Sequence, residues 1–303
     1  MVANPPPVLK PITAGELLRM ELPPREAILA PWLPTKGLAM VYAPRGVGKT
    51  HLSLAVAYAV AAGAPFLKWR APKPRQVLFI DGEMPAGVLQ TRLARIADQC
   101  DGEPPDEGFI RFLAADLHEN GLPDLATAEG QEALRPHLGD AELIVLDNLS
   151  TLCRAGKENE ADSWSPVQDL ALALRREGRS VLFVHHAGKS GAQRGTSRRE
   201  DVLDTVINLK RPDDYSAVQG ARFIVTFEKA RGFMGKDADS FEAALDPVTG
   251  AWTTRDLEDV REGRIAELTQ DGLSQAEIAR ELGVNRSTVS RQMKRLKDEG
   301  RLQ

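Results

Sequence analysis

Short apolar runs recur along the chain: Leu38-Ala39-Met40-Val41-Tyr42, Val77-Leu78-Phe79-Ile80, Leu143-Ile144-Val145-Leu146 and Val181-Leu182-Phe183-Val184. Each is too short for a core helix and apolar at both odd and even positions, which is the pattern of strands buried on both faces. Phe109–Leu113 reads as a further short strand. Between the runs lie segments of helical period: Leu52–Ala62, rich in Ala and Leu; Ala86–Gln99, through Val88, Leu89, Leu93 and Ile96; Ala126–Leu138; and Asp162–Glu177. Strands alternating with helices predict an α/β fold, a mainly parallel sheet flanked by helices. After residue 200 the helices drop out. Val202–Leu209, Ala221–Phe227, Phe241–Leu245 and Ala251–Thr253 read as strands of an antiparallel extension at the sheet edge.

The pattern divides the chain. Residues 1–37, with Pro5, Pro6, Pro7 and Pro11, a helix candidate near Gly15–Met20, and Trp32, read as an extended N-terminal arm or cover on the first strand. Docking onto another subunit is the alternative. Residues 38–253 form the sheet domain, and the charged stretch 254–260 reads as a linker. Residues 261–303 read as a small helix-turn-helix domain. Ser274 with Glu277 fits a capping box, and Gly283 sits where the tight turn belongs. Ile278, Leu282, Val284, Val289, Met293 and Leu296 are spaced to form a small core.

Composition narrows the partners. The 303 residues carry a net charge of −4, so DNA contact must come from local basic segments. Aromatics are 5%, too sparse for a broad base-stacking surface. Cys100 and Cys153 form no CxxC pair, which fits a reducing cytosol. No apolar run reaches membrane-spanning length, so a cytoplasmic protein with no membrane partner is expected.

Candidate chemistry sits at strand ends. Ala43-Pro44-Arg45-Gly46-Val47-Gly48-Lys49-Thr50, followed by His51, lies between the first strand and the first long helix. Glycines that let backbone N–H groups close on phosphate oxygens, at a helix N-terminus, make a phosphate-binding loop for ATP. Lys49 would reach the β- and γ-phosphates and the Thr50 hydroxyl would ligate Mg²⁺. Ala43 stands where such loops usually carry a first glycine. Asp147 closes the Leu143–Leu146 run and reads as the Mg²⁺-side acid. Glu83, after Asp81-Gly82, can orient and deprotonate a water, with Asp81 a rival. His185-His186 ends the fourth strand and can report the γ-phosphate, His185 favoured over His186.

Basic segments follow. Residues 187–199 hold Lys189, Arg194, Arg198 and Arg199 with no acid, suited to a phosphate backbone or to a neighbouring subunit's nucleotide. Lys229 and Arg231 form a second cluster. From Arg286 to Lys297 five basic residues occur with no acid, as a groove-entering helix requires. Asn285, Arg286, Ser287, Thr288, Arg291 and Lys294 would reach bases or phosphates. A helical hairpin for protein docking is the alternative.

The order Ala43–Thr50, Phe79–Glu83, Leu143–Asp147, His185–Lys189 and Arg194-Gly195-Thr196-Ser197 resembles RecA-like ATPases. Over roughly residues 30–250 it is most similar to the RepA-type hexameric replicative helicases of broad-host-range plasmids and their phage relatives. The resemblance implies a RecA-like ATPase domain assembled as a homo-hexameric ring, with ATP between subunits and single-stranded DNA in the channel. It implies Glu83 as catalytic base, Asp147 as metal-side acid, His185 as sensor and Arg194 as trans-acting arginine, assisted by Lys229. The expected activity is ATP hydrolysis by a plasmid or phage replicative helicase. The tail departs from that family and resembles bacterial winged-helix regulators, with Asp298–Leu302 beginning a wing. An ATP-switched DNA-binding regulator or replication-initiation accessory without unwinding activity is therefore the alternative.

Overall fold

The computed structural model describes residues 9–154, 164–188, 201–298 and 300. A short helix α1 (Ala14–Arg19) is closed by a Thr13/Glu16 capping box and buries none of its side chains. The hairpin β1 (Ala27–Leu29) and β2 (Leu33–Pro34) then folds onto the core. Its turn buries Trp32 edge-on against Trp69, ring centroids 5.2 Å apart, and the Thr205 hydroxyl donates to the Trp32 carbonyl at 2.8 Å.

The central unit follows as β3 (Leu38–Ala43), α2 (Lys49–Ala62), the small ribbon β4 (Pro65–Phe66) and β5 (Trp69–Arg70), β6 (Val77–Asp81), α3 (Ala86–Gln99), β7 (Ile110–Ala114), α4 (Ala128–Leu134), β8 (Leu143–Asp147), α5 (Leu149–Leu152), α6 (Ser165–Arg176) and β9 (Ser180–His186). The chain continues through β10 (Thr205–Lys210), β11 (Arg222–Ala230), β12 (Phe241–Leu245) and β13 (Trp252–Asp256). Among the described residues the main sheet has nine strands in the order β13-β12-β11-β10-β3-β9-β8-β6-β7. The run from β10 to β7 is parallel; β10 to β13 is antiparallel.

The wholly apolar strands divide their side chains by parity. Ala39, Val41, Val145, Leu182 and Val184 pack toward α2. Leu38, Met40, Ile144, Leu146, Val181 and Phe183 pack toward Leu134 of α4 and Leu170 and Leu174 of α6. Burying both faces removes roughly 1.5–3 kcal/mol of exposed apolar surface per large side chain. This is why the runs show no alternation. The same parity puts Asp81, Asp147 and His186 on the α2 face and His185 on the other.

Three expectations shift. The segment expected as helix to residue 138 is α4 followed by a 3₁₀ turn, Arg135–His137; Pro136 has no N–H to continue the ladder. The first of the late strands, β10, pairs parallel with β3 and antiparallel with β11, so it is the junction between the two sheet regions. The stretch 254–260 is not a linker. Thr253, Thr254 and Arg255 pair with Ala244, Ala243 and Glu242, and the helix α7 (Leu257–Gln270) begins directly after β13. Its charges belong to an edge strand and to a helix start, where Glu258 and Asp259 favour the N-terminal dipole. With α8 (Gln275–Glu281) and α9 (Arg286–Asp298), α7 closes a separate core around Ile265, Leu268, Ile278, Val289 and Leu296. The Ser274/Glu277 capping box is present, and Gly283 adopts φ 62°.

Candidate nucleotide site

The phosphate loop connects β3 to α2 at the carboxyl edge of the sheet. Ala43 is the last residue of β3, in extended conformation, and its carbonyl accepts from Ala187 N at 2.9 Å. Alanine in place of glycine therefore costs nothing there, since no positive φ is required. Gly46 and Gly48 do need it, at φ 74° and 123°. At Gly48 a Cβ would also stand 3.0 Å from the Ala221 Cβ and 3.1 Å from the Phe223 ring.

Lys49 is buried, and its ammonium donates to the carbonyls of Ala43 at 3.0 Å and Pro44 at 2.9 Å. Burial draws it down to about 8, against the pull of Asp147 and Glu83. A phosphate beside it would restore its charge. Asp147 is buried at the end of β8 and accepts from the Ser53 hydroxyl at 2.8 Å, with the Thr50 hydroxyl also hydrogen-bonded to it. Burial pushes its carboxyl up to about 6. A carboxylate so disfavoured in its charged form, next to a Thr hydroxyl, is a donor set that fits a hard divalent cation such as Mg²⁺.

The other acids divide. Asp81 lines the same cavity, but its Oδ1 accepts from Glu83 N at 3.1 Å and Met84 N at 2.6 Å, so it holds the turn after β6. Glu83, on that turn, faces the cavity with its side chain open to water; Asn148 Nδ2 donates to its carboxylate, and His186 Nε2 lies 4.0 Å from Oε2. The geometry of Glu83 is that of a group able to take a proton from water. His186 lines the cavity. His185, expected as the sensor in preference to it, is buried on the opposite face, paired in the ladder with Tyr42. Strand parity brings His186, and not His185, to the cavity.

The cavity holds about 570 Å³, and Arg45, Gly46, Gly48, Lys49, Thr50 and His51 form one wall. Pro44 takes part through its carbonyl, and Val47 is buried in the core beneath the loop. Burial, with Arg92 and Arg95 nearby, draws His51 down to about 4, so it is a neutral ring at pH 7. Sequence reasoning missed Arg92, Asn148 and Tyr215, which also line the cavity. Asn148 could have been found as the neighbour of Asp147; Arg92 lies within an amphipathic helix and Tyr215 in a loop, with no motif to mark either.

Residues 3–192 match the family model described as an AAA domain. The chain belongs to this family of P-loop ATPases. The fold agrees: a KaiC-like protein of the hyperthermophilic archaeon Pyrococcus horikoshii is similar over 73% of this chain and 90% of that chain, at 14% identity and a TM-score of 0.50. Residues 256–303 of the ATPase match the model described as a homeodomain-like domain, and it ends in a helix-turn-helix.

In that tail Asn285, Arg286, Ser287, Arg291 and Lys294 are exposed and Thr288 half-buried. Ser287, Arg291 and Lys294, at i, i+4 and i+7, share one face of α9. Arg295 is not available with them: it pairs with Glu258 at 3.4 Å and with the buried Glu262 at 3.2 Å, tying α9 to α7. Lys189, Arg194, Arg198 and Arg199 lie outside the described residues, as does most of the expected wing. Among the described residues no helix is long and apolar enough to cross a membrane.

Proposed function

We propose that this ATPase assembles as a homo-hexameric ring and couples ATP hydrolysis to translocation along single-stranded DNA, as a replicative helicase of plasmid or phage type. The observation that carries the reading is Glu83, a carboxylate held by Asn148 in the cavity that Lys49 and Thr50 also line. Lys49 binds the β- and γ-phosphates. Thr50 and Asp147 would hold Mg²⁺, which supplies charge neutralisation at the phosphates. Glu83 takes the proton of the attacking water, and His186, in place of His185, contacts the γ-phosphate. Arg194 acts from the neighbouring subunit, a role worth about 10³–10⁵ in rate in other NTPases. Lys189, Arg198 and Arg199 contact single-stranded DNA, and α9 tethers the ring to duplex DNA.

The test is ATP turnover with and without single-stranded DNA, together with particle mass in the ATP-bound state. Stimulated turnover by a six-subunit particle is expected. DNA-independent turnover by a monomer would sink the ring reading. An Arg194→Ala protein hydrolysing ATP at the normal rate would remove that residue from the mechanism.

The exposed basic face of α9 favours a second reading, an ATP-switched DNA-binding regulator or initiation accessory. It predicts duplex affinity that changes with nucleotide and no strand separation.

A further inference from the structure

The turn that carries Glu83 is held from a direction that no motif marks. We propose that Asp116, in the loop after the edge strand β7, is a positioning residue for Glu83: it fixes the start of α3 and so sets where the Glu83 carboxylate stands. The inference rests on the reading of Glu83 as the base of ATP hydrolysis.

Strand register brings the two acids to neighbouring loops. β6 and β7, the last two strands of the sheet, run parallel with Asp81 opposite Ala114. Glu83 and Asp116 each lie two residues beyond that pair. After β7 the chain bends in a 3₁₀ turn, Ala115–Leu117, and Asp116 Oδ2 accepts from Ala86 N at 2.8 Å. Ala86 is the first residue of α3, three residues after Glu83.

The backbone donors from Gly82 to Ala86 can be followed one by one. Gly82 N donates to the Asp147 carbonyl at 2.8 Å. Glu83 N and Met84 N donate to Asp81 Oδ1 at 3.1 and 2.6 Å. Pro85 has no N–H, and Ala86 N goes to Asp116. Gly82 is also pressed against α5: a Cβ there would collide with Thr151 Oγ1 and stand 2.9 Å from Leu152 Cδ2. The near end of the turn is thus fixed by β8, α5 and Asp81. At the far end the bond comes from Asp116. Leu89, Leu93 and Ile96 pack the body of α3 into the core, not its first residues. The helix brings no substitute cap, since Pro85 at its N-cap has no side-chain acceptor and its first turn holds no acid. The helix dipole also favours a carboxylate at this end. Loss of Asp116 would loosen the far end, and Glu83 sits between the two. A general base must stand within hydrogen-bond reach of its water, and a misplacement of about 1 Å can cost about 10²-fold in rate.

Single-turnover hydrolysis and equilibrium binding of ATP with Mg²⁺, both on the full chain, test the tether. Asp116→Ala is expected to slow hydrolysis roughly 10- to 100-fold and to leave ATP affinity in place. Retained ATP binding also shows that the variant is folded. Asp116→Asn, which keeps an acceptor for Ala86 N, recovers most of the rate. In a Glu83→Gln background Asp116→Ala should have little further effect, because the group it positions is gone. Hydrolysis unchanged in Asp116→Ala would overturn the proposal. So would a loss of rate as large in the Glu83→Gln background, or as large in Asp116→Asn. A matching loss of ATP affinity also contradicts it, since Asp116 would then support the cavity and not Glu83. Glu83→Gln hydrolysing ATP at the wild-type rate would overturn the reading of Glu83 itself.

Discussion

Lys49 and Asp147 sit close together in a buried wall, and burial acts on them in opposite directions. The ammonium comes down to about 8 and the carboxyl goes up to about 6. Each must be charged to work: Lys49 to bind phosphate, Asp147 to bind a cation. Activity should therefore fall below about 6, where Asp147 gains its proton, and above about 8, where Lys49 loses one. Because kcat/KM reports the free enzyme, the profile of kcat/KM for ATP should be a bell with these limbs. A profile flat through the acid limb would remove Asp147 from the metal site. Lys49→Ala should lose nucleotide binding. Glu83→Gln should bind ATP and turn it over about 10²–10⁴-fold more slowly, the usual worth of a general base; normal turnover would move the base to Asp81. The phosphate loop, Asp147 and Glu83 were legible because each follows a wholly apolar strand. Which of His185 and His186 lines the cavity was not. It depends on the β8–β9 register, in which Asp147 pairs with Val184. A sequence shows that two adjacent strand residues face opposite ways, but not which of them faces the nucleotide.

At the scale of elements, legibility followed buried apolar pattern. The four apolar runs became β3, β6, β8 and β9, and Ala86–Gln99 became α3 with those bounds. Charge misled where packing is asymmetric. The 254–260 stretch looked solvated, yet Arg255 reaches the buried Glu242 from an edge strand. Arg295, one of the five basic residues counted along α9, pairs instead with the buried Glu262. The β10–β11 connection reaches the cavity through Tyr215 and is anchored by Arg211 and Arg222, with no periodicity to reveal it. In the tail, the Ser274 hydroxyl accepts from Glu277 N, and the Glu277 carboxylate accepts from Ser274 N at 2.9 Å. Ser274→Ala should destabilise the tail by about 0.5–2 kcal/mol, read as earlier melting of the tail in thermal unfolding while ATP affinity stays put. A tail melting as in the wild type would show that α8 is held by packing alone.

The whole molecule joins a nucleotide site at one sheet edge to a basic helix at the chain's end. With a net charge of −4, its DNA contacts must be local. Since α7 begins at Leu257, the tail is removed cleanly by deleting 257–303, whereas deletion from residue 261 would cut through α7. The shorter chain should keep its ATPase and lose duplex binding; duplex affinity that survives would make the tail a protein-docking hairpin. In the proposed helicase, hydrolysis at Glu83 does mechanical work on DNA. That work is read as strand displacement on a forked DNA substrate with ATP and Mg²⁺. Displacement is expected from the wild type and none from Glu83→Gln, although that variant still binds ATP. ATP hydrolysis on single-stranded DNA with no strand displaced would contradict it.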